Sequence, residues 1–431
     1  MKRKMNIAIV GLGNIGSYFY NFLKKNKQTL FNKTNIEPYI KYVSARSFSK
    51  KRGVSIPKNL WIKNYLDITK DKDVDIVVEL IGGSDGAAKK LVFAALNNKK
   101  HVVTANKALV AKYGEQLTKI AEKNKVNFEF EAAVCGGIPI IRTMKEGLIA
   151  NQINKIYGIL NGTSNFILSS MDKENLEYKD ALFKAQKLGY AESNPSADIN
   201  GDDVASKLKI LTALSFNSLI NNNSILMEGI KEIDQVDINN ANQLGYKIKL
   251  LGISERIGDQ ILQRVHPVLI KENSYIAKIN GVLNAVVVDS KPVGQTILQG
   301  EGAGPGPTTS ALISDLCSVL RGNIKFPFVV SSEKRKKASY KKIDDKKFQV
   351  YLRLDVKDKY GVLSNITKVM ASNKVSVKRL IQNPTNKPSN ASIVIITHMG
   401  KNSSFIKVLK SLSKKNYMVN KPKFIRIENF S

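Results

Sequence analysis

The sequence predicts an α/β protein in three parts: an N-terminal doubly wound parallel sheet, a central α+β region and a compact βαββαβ tail. Three observations predict it. A short apolar strand at residues 5–10 passes through Gly11-Leu12-Gly13-Asn14-Ile15-Gly16 into a helical pattern carried by Tyr18, Phe19, Phe22 and Leu23. Strand and helix patterns then alternate to about residue 132, which implies parallel strands covered on both faces. Beyond residue 347, four short strand patterns enclose two amphipathic helices in a β-α-β-β-α-β order.

The elements follow in order. A second strand, 40–45, ends at Arg46, and a third, 74–80, ends in Ile81-Gly82-Gly83. Helix 87–97, strand 101–104, helix 108–124 and strand 126–132 complete the first domain, residues 1–133. A glycine-rich turn and a helix at 139–147 open the central domain, 134–307, in which strands such as 155–160 and 285–289 lie among helices. Residues 300–307 read as a loop, and the helix of 308–325 is expected to pack back on the first domain. Residues 330–347, with a dense basic cluster from Lys334 to Lys347, read as a solvated charged linker. In the tail, 348–431, the strands are 348–356, 375–382, 392–398 and one near Phe424, with helices at 361–372 and 404–414.

At 431 residues the chain can bury several cores. Its two cysteines, Cys135 and Cys317, have no paired spacing, which argues against a disulfide framework or zinc site and suits a reducing, cytoplasmic setting. Lys2, Arg3 and Lys4 precede an apolar run too short for a signal peptide, and no stretch approaches the ~20 apolar residues of a membrane span. The formal charge of +32 would attract polyanions. The lysines are scattered, however, and no basic motif carries interleaved aromatics, so neither nucleic acid nor membrane is an expected partner.

Three clusters carry chemistry. The glycine motif, placed after a strand and opening a helix, fits a dinucleotide pyrophosphate, with Gly11, Gly13, Asn14, Ile15 and Gly16 against the cofactor. Arg46 stands where an NAD-specific protein would carry an acid, with Lys50, Lys51 and Arg52 close behind. A cation there suits a 2′-phosphate, so NADP(H) is favoured over NAD(H). Thr104-Ala-Asn-Lys107 follows the fourth strand at the carboxyl edge of the sheet, where Thr104 and Lys107 would face the nicotinamide end of the cofactor.

The third cluster is residues 189–207, where Glu192, Asp198 and Asp203 lead into Lys207. Asp203 and Lys207 share a helix face. Reduction of a carbonyl leaves an alkoxide that needs a proton, and a lysine can supply it if burial and a second cation lower its pKa toward neutrality. Lys207 is the candidate, with the three acids orienting it and gripping a substrate ammonium group. The plainer reading, a surface i,i+4 ion pair worth a few tenths of a kcal/mol, explains Asp203 with Lys207 but not the acids around them.

These motifs resemble homoserine dehydrogenase over most of residues 5–325. The pieces that carry the resemblance are Gly11 to Gly16, Glu79-Leu-Ile-Gly-Gly83, Thr104-Ala-Asn-Lys-Ala108, Ile159-Leu-Asn-Gly-Thr-Ser-Asn165, Gly189 to Lys207, and Gly300-Glu-Gly-Ala-Gly304 with Pro307-Thr308. The resemblance implies a Rossmann domain and reduction of L-aspartate 4-semialdehyde to L-homoserine with NAD(P)H, on the route to threonine and methionine, by a homodimer or homotetramer. It implies Lys207 as proton donor, Lys107 as its cationic partner, Glu192 and Asp203 on the amino acid, and Gly189 and Gly304 against the cofactor. Glu131, Val134, Gly136 and Ile138 match positions that in the family hold a monovalent cation such as Na+ or K+, mostly through backbone carbonyls.

The tail is similar to an ACT domain, a module that often binds an amino acid, and Asp358-Lys-Tyr-Gly361-Val-Leu resembles its ligand loop, which makes threonine a candidate effector. Two rival readings stay open on the sequence. Cys135 would serve as the nucleophile of a thioester-forming semialdehyde dehydrogenase, although no histidine motif is placed to activate it. A non-catalytic Rossmann regulator that binds nucleic acid is the other.

Overall fold

The computed structural model describes residues 3–221, 225–385 and 387–430, so Lys2 and the outermost residues of the first and last domains lie outside it. Five strands form the N-terminal sheet: β1 (Lys4–Val10), β2 (Glu37–Ser44), β3 (Ile76–Glu79), β4 (His101–Thr104) and β5 (Phe128–Glu129). All pair in parallel, in the order β2-β1-β3-β4-β5. The order reverses between β1 and β3, which opens a crevice at their carboxyl ends, and the glycine motif lies there. β1 and β3 read Ile7-Ala-Ile-Val10 and Ile76-Val-Val-Glu79, apolar because both faces are covered. The helix Pro305–Leu320 returns to this domain and buries Leu312, Leu316 and Val319 in one core with Ile7, Ile9 and Phe19.

The strand expected at 126–132 is only two residues long. The Glu131 N–H donates to Asp315 Oδ2 at 2.8 Å instead of to a neighbouring strand, so the chain leaves the sheet and tightens into a 3₁₀ turn over Glu131–Ala133. The helix expected at 139–147 is also irregular: one α-turn, Ile140–Arg142, widens into a π-helical turn, Thr143–Gly147.

The central and tail domains share one twelve-stranded sheet. Its members are β6 (Gln152–Ile159), β7 (Leu226–Met227), β8 (Tyr246–Ile257), β9 (Gln260–Lys271), β10 (Leu283–Lys291), β11 (Gly294–Glu301), β12 (Ser339–Tyr340), β13 (Lys347–Lys357), β14 (Val377–Pro384), β15 (Asn390–Thr397), β16 (Gly400–Lys401) and β17 (Lys423–Ile427). The main path runs β11-β10-β6-β8-β9-β17-β13-β15-β14. The tail has the expected βαββαβ order, with helices Val362–Ser372 and Asn402–Leu412 packed on Val350, Leu352 and Leu354 of β13. Its last strand, β17, lies parallel to β9 and closes the seam.

The basic stretch before β13 is solvated at Lys334, Lys336, Lys337, Lys342 and Lys347, as its charge suggests, but it is anchored at other points. Arg335 is 4% exposed. Its guanidinium forks onto Glu115 at 2.7 and 3.0 Å and donates to the Ser218 carbonyl. Ser339 and Tyr340 pair alongside β9, and Lys346 reaches Glu255 at 2.7 Å. Each cation that settles here has a fixed carboxylate or carbonyl to meet.

Candidate active site

The site forms where the N-terminal sheet meets the helix Asp202–Phe216. Thr104 and Glu79 build one wall. Glu79 is fully buried and accepts N–H bonds from Ile81 at 2.8 Å and Gly82 at 3.2 Å, and the Thr104 hydroxyl donates to it at 2.5 Å. The Thr104 side chain therefore shapes the turn, rather than facing a cofactor. Asn106 caps the next helix, Lys107–Asn124, by accepting from Leu109 N, and its amide holds the Gly83 carbonyl. Lys107 is thereby fixed as the first helical residue. A cation at a helix N-terminus opposes the macrodipole, so this position needs an anion, and Asp203 supplies it.

Asp203 is the hub. It is 7% exposed, and its two oxygens lie 2.6 Å from Lys107 Nζ and 2.8 Å from Lys207 Nζ. Lys207, also 7% exposed, donates in addition to the Leu160 carbonyl at 2.6 Å, at the end of β6. Asn161 caps the helix Gly162–Glu174 through Ser164 N, and its amide NH2 bridges Asp198 at 2.7 Å and Asp203 at 2.9 Å. Two carboxylates, two ammonium groups and one amide are gathered in a single pocket.

Burial disfavours the Asp203 anion, but Lys207 and Lys107 outweigh it and hold the carboxyl well below its usual range. Burial likewise pushes Lys207 down. The charge of Asp203, helped by Cys135, Asp198 and a hydrogen bond to Asp203, reverses this and leaves Lys207 above its ordinary value. The expected drop toward neutrality is therefore corrected: the second cation is screened by the carboxylate between the two lysines. Asp198 is half-buried and raised, chiefly by desolvation.

Glu192 stays apart from this cluster. It is exposed, and its backbone carbonyl accepts from Gln186. Gly189, in a positive-φ turn after the helix Tyr178–Lys187, is exposed as well, and the turn is pinned by the Thr163 hydroxyl on the Tyr190 carbonyl. The residue that sequence reasoning missed is Asn161. Its signal was present, because Asn-Gly-Thr-Ser ahead of a helical run is a capping pattern, but a cap gives no hint that the same amide also bridges two acids.

The glycine turn is built for close approach. A Cβ at Gly11 would overlap the Leu80 carbonyl, and one at Gly16 the Gly11 carbonyl, whereas the space over Gly13 is open. A cleft of about 310 Å³ borders this turn, lined among others by Gly13, Asn14, Lys50, Lys51, Arg52 and Pro305. Arg46 is exposed just beyond β2. Arg52 instead donates to the carbonyls of Leu12 and Lys50, at 3.1 and 2.7 Å, and of Ser47, closing the basic loop onto the glycine motif. Gly304, at φ 113°, leads into the helix Pro305–Leu320 on the other side of the cleft.

Cys135 is not equipped as a nucleophile. It is buried, and burial pushes its thiol up, away from the thiolate that attack requires. Two of the histidines are engaged elsewhere: His101 accepts the Asn127 N–H, and His266 donates to the Pro267 carbonyl.

Three family models match the chain in sequence: homoserine dehydrogenase, NAD binding domain, over residues 11–131; homoserine dehydrogenase over 139–317; and ACT domain over 350–415. A homoserine dehydrogenase from Helicobacter pylori is 40% identical over 430 residues, covering 100% of both chains. The chain belongs to the homoserine dehydrogenase family. It is an NAD(P)-dependent oxidoreductase with homoserine dehydrogenase activity and a C-terminal ACT domain. The homoserine dehydrogenase of Neisseria gonorrhoeae is also 40% identical, over 402 residues and 92% of each chain. Among solved structures, a homoserine dehydrogenase from Thiobacillus denitrificans superposes with a TM-score of 0.92 at 36% identity, covering 99% of each chain. A hyperthermophilic archaeal homoserine dehydrogenase in complex with NADPH shares the fold over 75% of this chain, with a TM-score of 0.64 at 24% identity. The thioester and nucleic-acid readings are set aside by this membership.

Proposed function

We propose that the enzyme reduces L-aspartate 4-semialdehyde to L-homoserine with NADPH as the favoured reductant, and that Lys207 hands the proton to the carbonyl oxygen. The observation that carries this reading is the placement of Asp203 between Lys207 and Lys107. When bound at the glycine turn, the reduced nicotinamide supplies the hydride. Lys207, kept above its ordinary pKa, waits in the charged form. An alkoxide is a far stronger base than an amine, so the transfer runs downhill from a lysine that is fully protonated at neutral pH. Lys107, 44% exposed at its side chain, offers its positive charge to the developing oxyanion and links the buried pair to solvent. Asp198 and Asp203 grip the ammonium group of the amino acid, whereas Glu192, the third acid expected there, is exposed and lies apart from them.

Arg46, Lys50 and Lys51 provide the cationic corner for the 2′-phosphate that distinguishes NADP(H), and Gly304 would lie against the nucleotide from the opposite side. Glu131, Val134, Gly136 and Ile138 would hold a monovalent cation through hard oxygen donors. The surroundings fit one. Glu131 is buried, its charge is felt at Asp315, and burial pushes its carboxyl up to about 7, a direction that a bound cation would oppose. Both Glu131 carboxylate oxygens accept N–H bonds from Ile141 and Arg142, at 2.9 and 2.7 Å, and its carbonyl, which accepts the Val134 N–H at 3.3 Å, keeps a second lone pair that would serve the ion.

The ACT domain points to an amino-acid effector, for which we propose threonine at the loop 358–363, where Tyr360 is fully exposed and Gly361 opens the helix Val362–Ser372. A cytoplasmic homodimer or homotetramer completes the reading; both cysteines are unpaired, and no helix among the described residues is long and apolar enough to cross a membrane. The test is a Lys207→Ala variant assayed with the semialdehyde and each reduced nucleotide, with and without threonine. A loss of roughly two to four orders of magnitude in kcat with near-normal NADPH affinity is expected; retained activity would place the proton donor elsewhere.

A further inference from the structure

A buried amide without a firm partner stands between the nucleotide cleft and Lys207. Asn284, the second residue of β10, is 1% exposed, and neither its Oδ1 nor its Nδ2 makes a well-formed hydrogen bond, the amide meeting the weakly accepting sulfur of Cys135. Strand alternation puts it on the face shared by Val286 and Val288, which join the core beneath the Lys207 helix, while Ala285 and Val287 face a separate core. Cys135 lies on the same side. It is close enough to Asn284 and to the Lys207 charge for both to favour its thiolate, against the larger opposing effect of burial.

The glycine loop after β11 rests directly on this amide. A Cβ at Gly302 would overlap the Asn284 side chain, so only a glycine lets the loop backbone sit against it. Three residues later, Pro305 lines the nucleotide cleft beside Gly13 and Asn14. In space the order is cleft, loop, amide, thiol, lysine.

An amide buried without firm partners is destabilising, and a fold that keeps one beside its active site calls for a functional reason. We propose that Asn284 is a positioning residue of the active site, whose amide gains its hydrogen bonds when nucleotide fills the cleft and draws the 302–305 loop into its working place beside Lys207. This rests on the active-site reading given above. Through Asn284, occupancy of the cleft is felt at the proton donor.

The test uses the full-length enzyme with Asn284→Leu, close in shape but without the amide, and Asn284→Ala. Thermal midpoints are measured with and without saturating NADPH, together with NADPH affinity, kcat and KM. The free Leu variant is expected to melt at or above the wild-type midpoint, since it loses an unsatisfied group. The NADPH-induced rise should shrink in both variants, because both lack the amide bonds of the bound state; the Ala cavity weakens both states alike and cancels from the difference. NADPH affinity or kcat/KM should fall by about 5- to 150-fold, the span of one lost buried hydrogen bond. The idea is overturned if the free Leu variant loses as much stability as its NADPH complex, or if both variants keep wild-type NADPH affinity and kcat/KM. Lys207→Ala run in parallel separates the two readings: full activity there removes the active-site assignment, whereas activity lost there with unchanged Asn284 variants removes only this inference.

Discussion

Replacing Asp203 with Asn leaves the shape of the hub intact and removes the one charge that holds two ammonium groups together. In the native pocket Lys207 sits above its ordinary pKa only because the Asp203 carboxylate, 2.8 Å away, outweighs burial. With a neutral amide at position 203, burial and the facing Lys107 are opposed only by the smaller effects of Cys135 and Asp198, and Lys207 releases its proton more easily. A hydrogen bond to a charged group contributes ~1.5–3 kcal/mol, which at about 1.4 kcal/mol per pH unit is a shift of roughly one to two units. Homoserine oxidation is the direction to measure, because there Lys207 must be neutral to accept the hydroxyl proton, and the rate climbs as pH rises through its pKa. The rising limb of kcat/KM against pH should therefore lie at high pH in the native enzyme and move down by roughly one to two units in Asp203→Asn. Absolute rates fall too, since a substrate anchor is lost, and the free enzyme loses stability on the order of 3–5 kcal/mol, the usual cost of stripping one partner from a buried ion pair. A limb that stays in place while the rate falls would refute Lys207 as the titrating base.

Arg46→Asp should weaken NADPH far more than NADH in direct binding titrations; equal losses would remove the 2′-phosphate assignment. Cys135→Ala should keep most of the activity, and a dead but folded variant would revive a covalent role for the thiol. Lys249, 3% exposed in β8, donates to Asn165, Asn280 and the Ile279 carbonyl, and burial pushes its pKa down to about 7 from 10.5. Between those values the unfolded chain binds the extra proton, so this group makes stability rise with pH across that window, by about 1.4 kcal/mol per unit. Denaturation midpoints of Lys249→Met against the native enzyme should show that part of the slope missing; parallel curves from pH 7 to 10 would show that Lys249 does not titrate there.

The parts of the fold that were legible are those whose signals are local. Gly11 and Gly16 announce a turn after a strand because the chain must touch itself there, and β1 and β3 carry apolar runs, Ile7 to Val10 and Ile76 to Val78, because both faces are covered. The central sheet was much less legible. β9 is buried from Ile261 to Ile270 yet contains Gln263, Arg264 and His266, and polar residues in such a run read as solvent-facing. What makes them buriable lies far away in sequence: Glu428, beyond β17, receives Arg264, and Glu255 completes the pair. The active site divides the same way. Asp203 with Lys207 is a four-residue spacing, visible at once, whereas Lys107 and Asn161 reach the same carboxylate from other elements and could be placed only by resemblance or by coordinates.

The tail is held to the catalytic body by buried charge as well as by strand pairing, and this decides how the two can move. Arg353 of β13 meets Asp234, Asp237 and Asp355 from its buried guanidinium, and Tyr351 beside it bonds Asp237 and Asn240, all against the helix Gln235–Gln243. One strand along, Arg426 of β17 reaches Glu228 at 2.7 Å. Hinging the tail away from β9 would strip the buried Arg353 and Arg426 of their carboxylates in the central domain together, and a buried ion left without its partners costs roughly 3–5 kcal/mol. Small displacements within the sheet are far cheaper. β9 carries Val265, against which a Cβ at Gly201 would press, and Gly201 immediately precedes the helix that bears Asp203 and Lys207. A shift of β17 along β9 thus has a short, packed path to the helix of Asp203 and Lys207, one that a flexible tether between the domains would not provide.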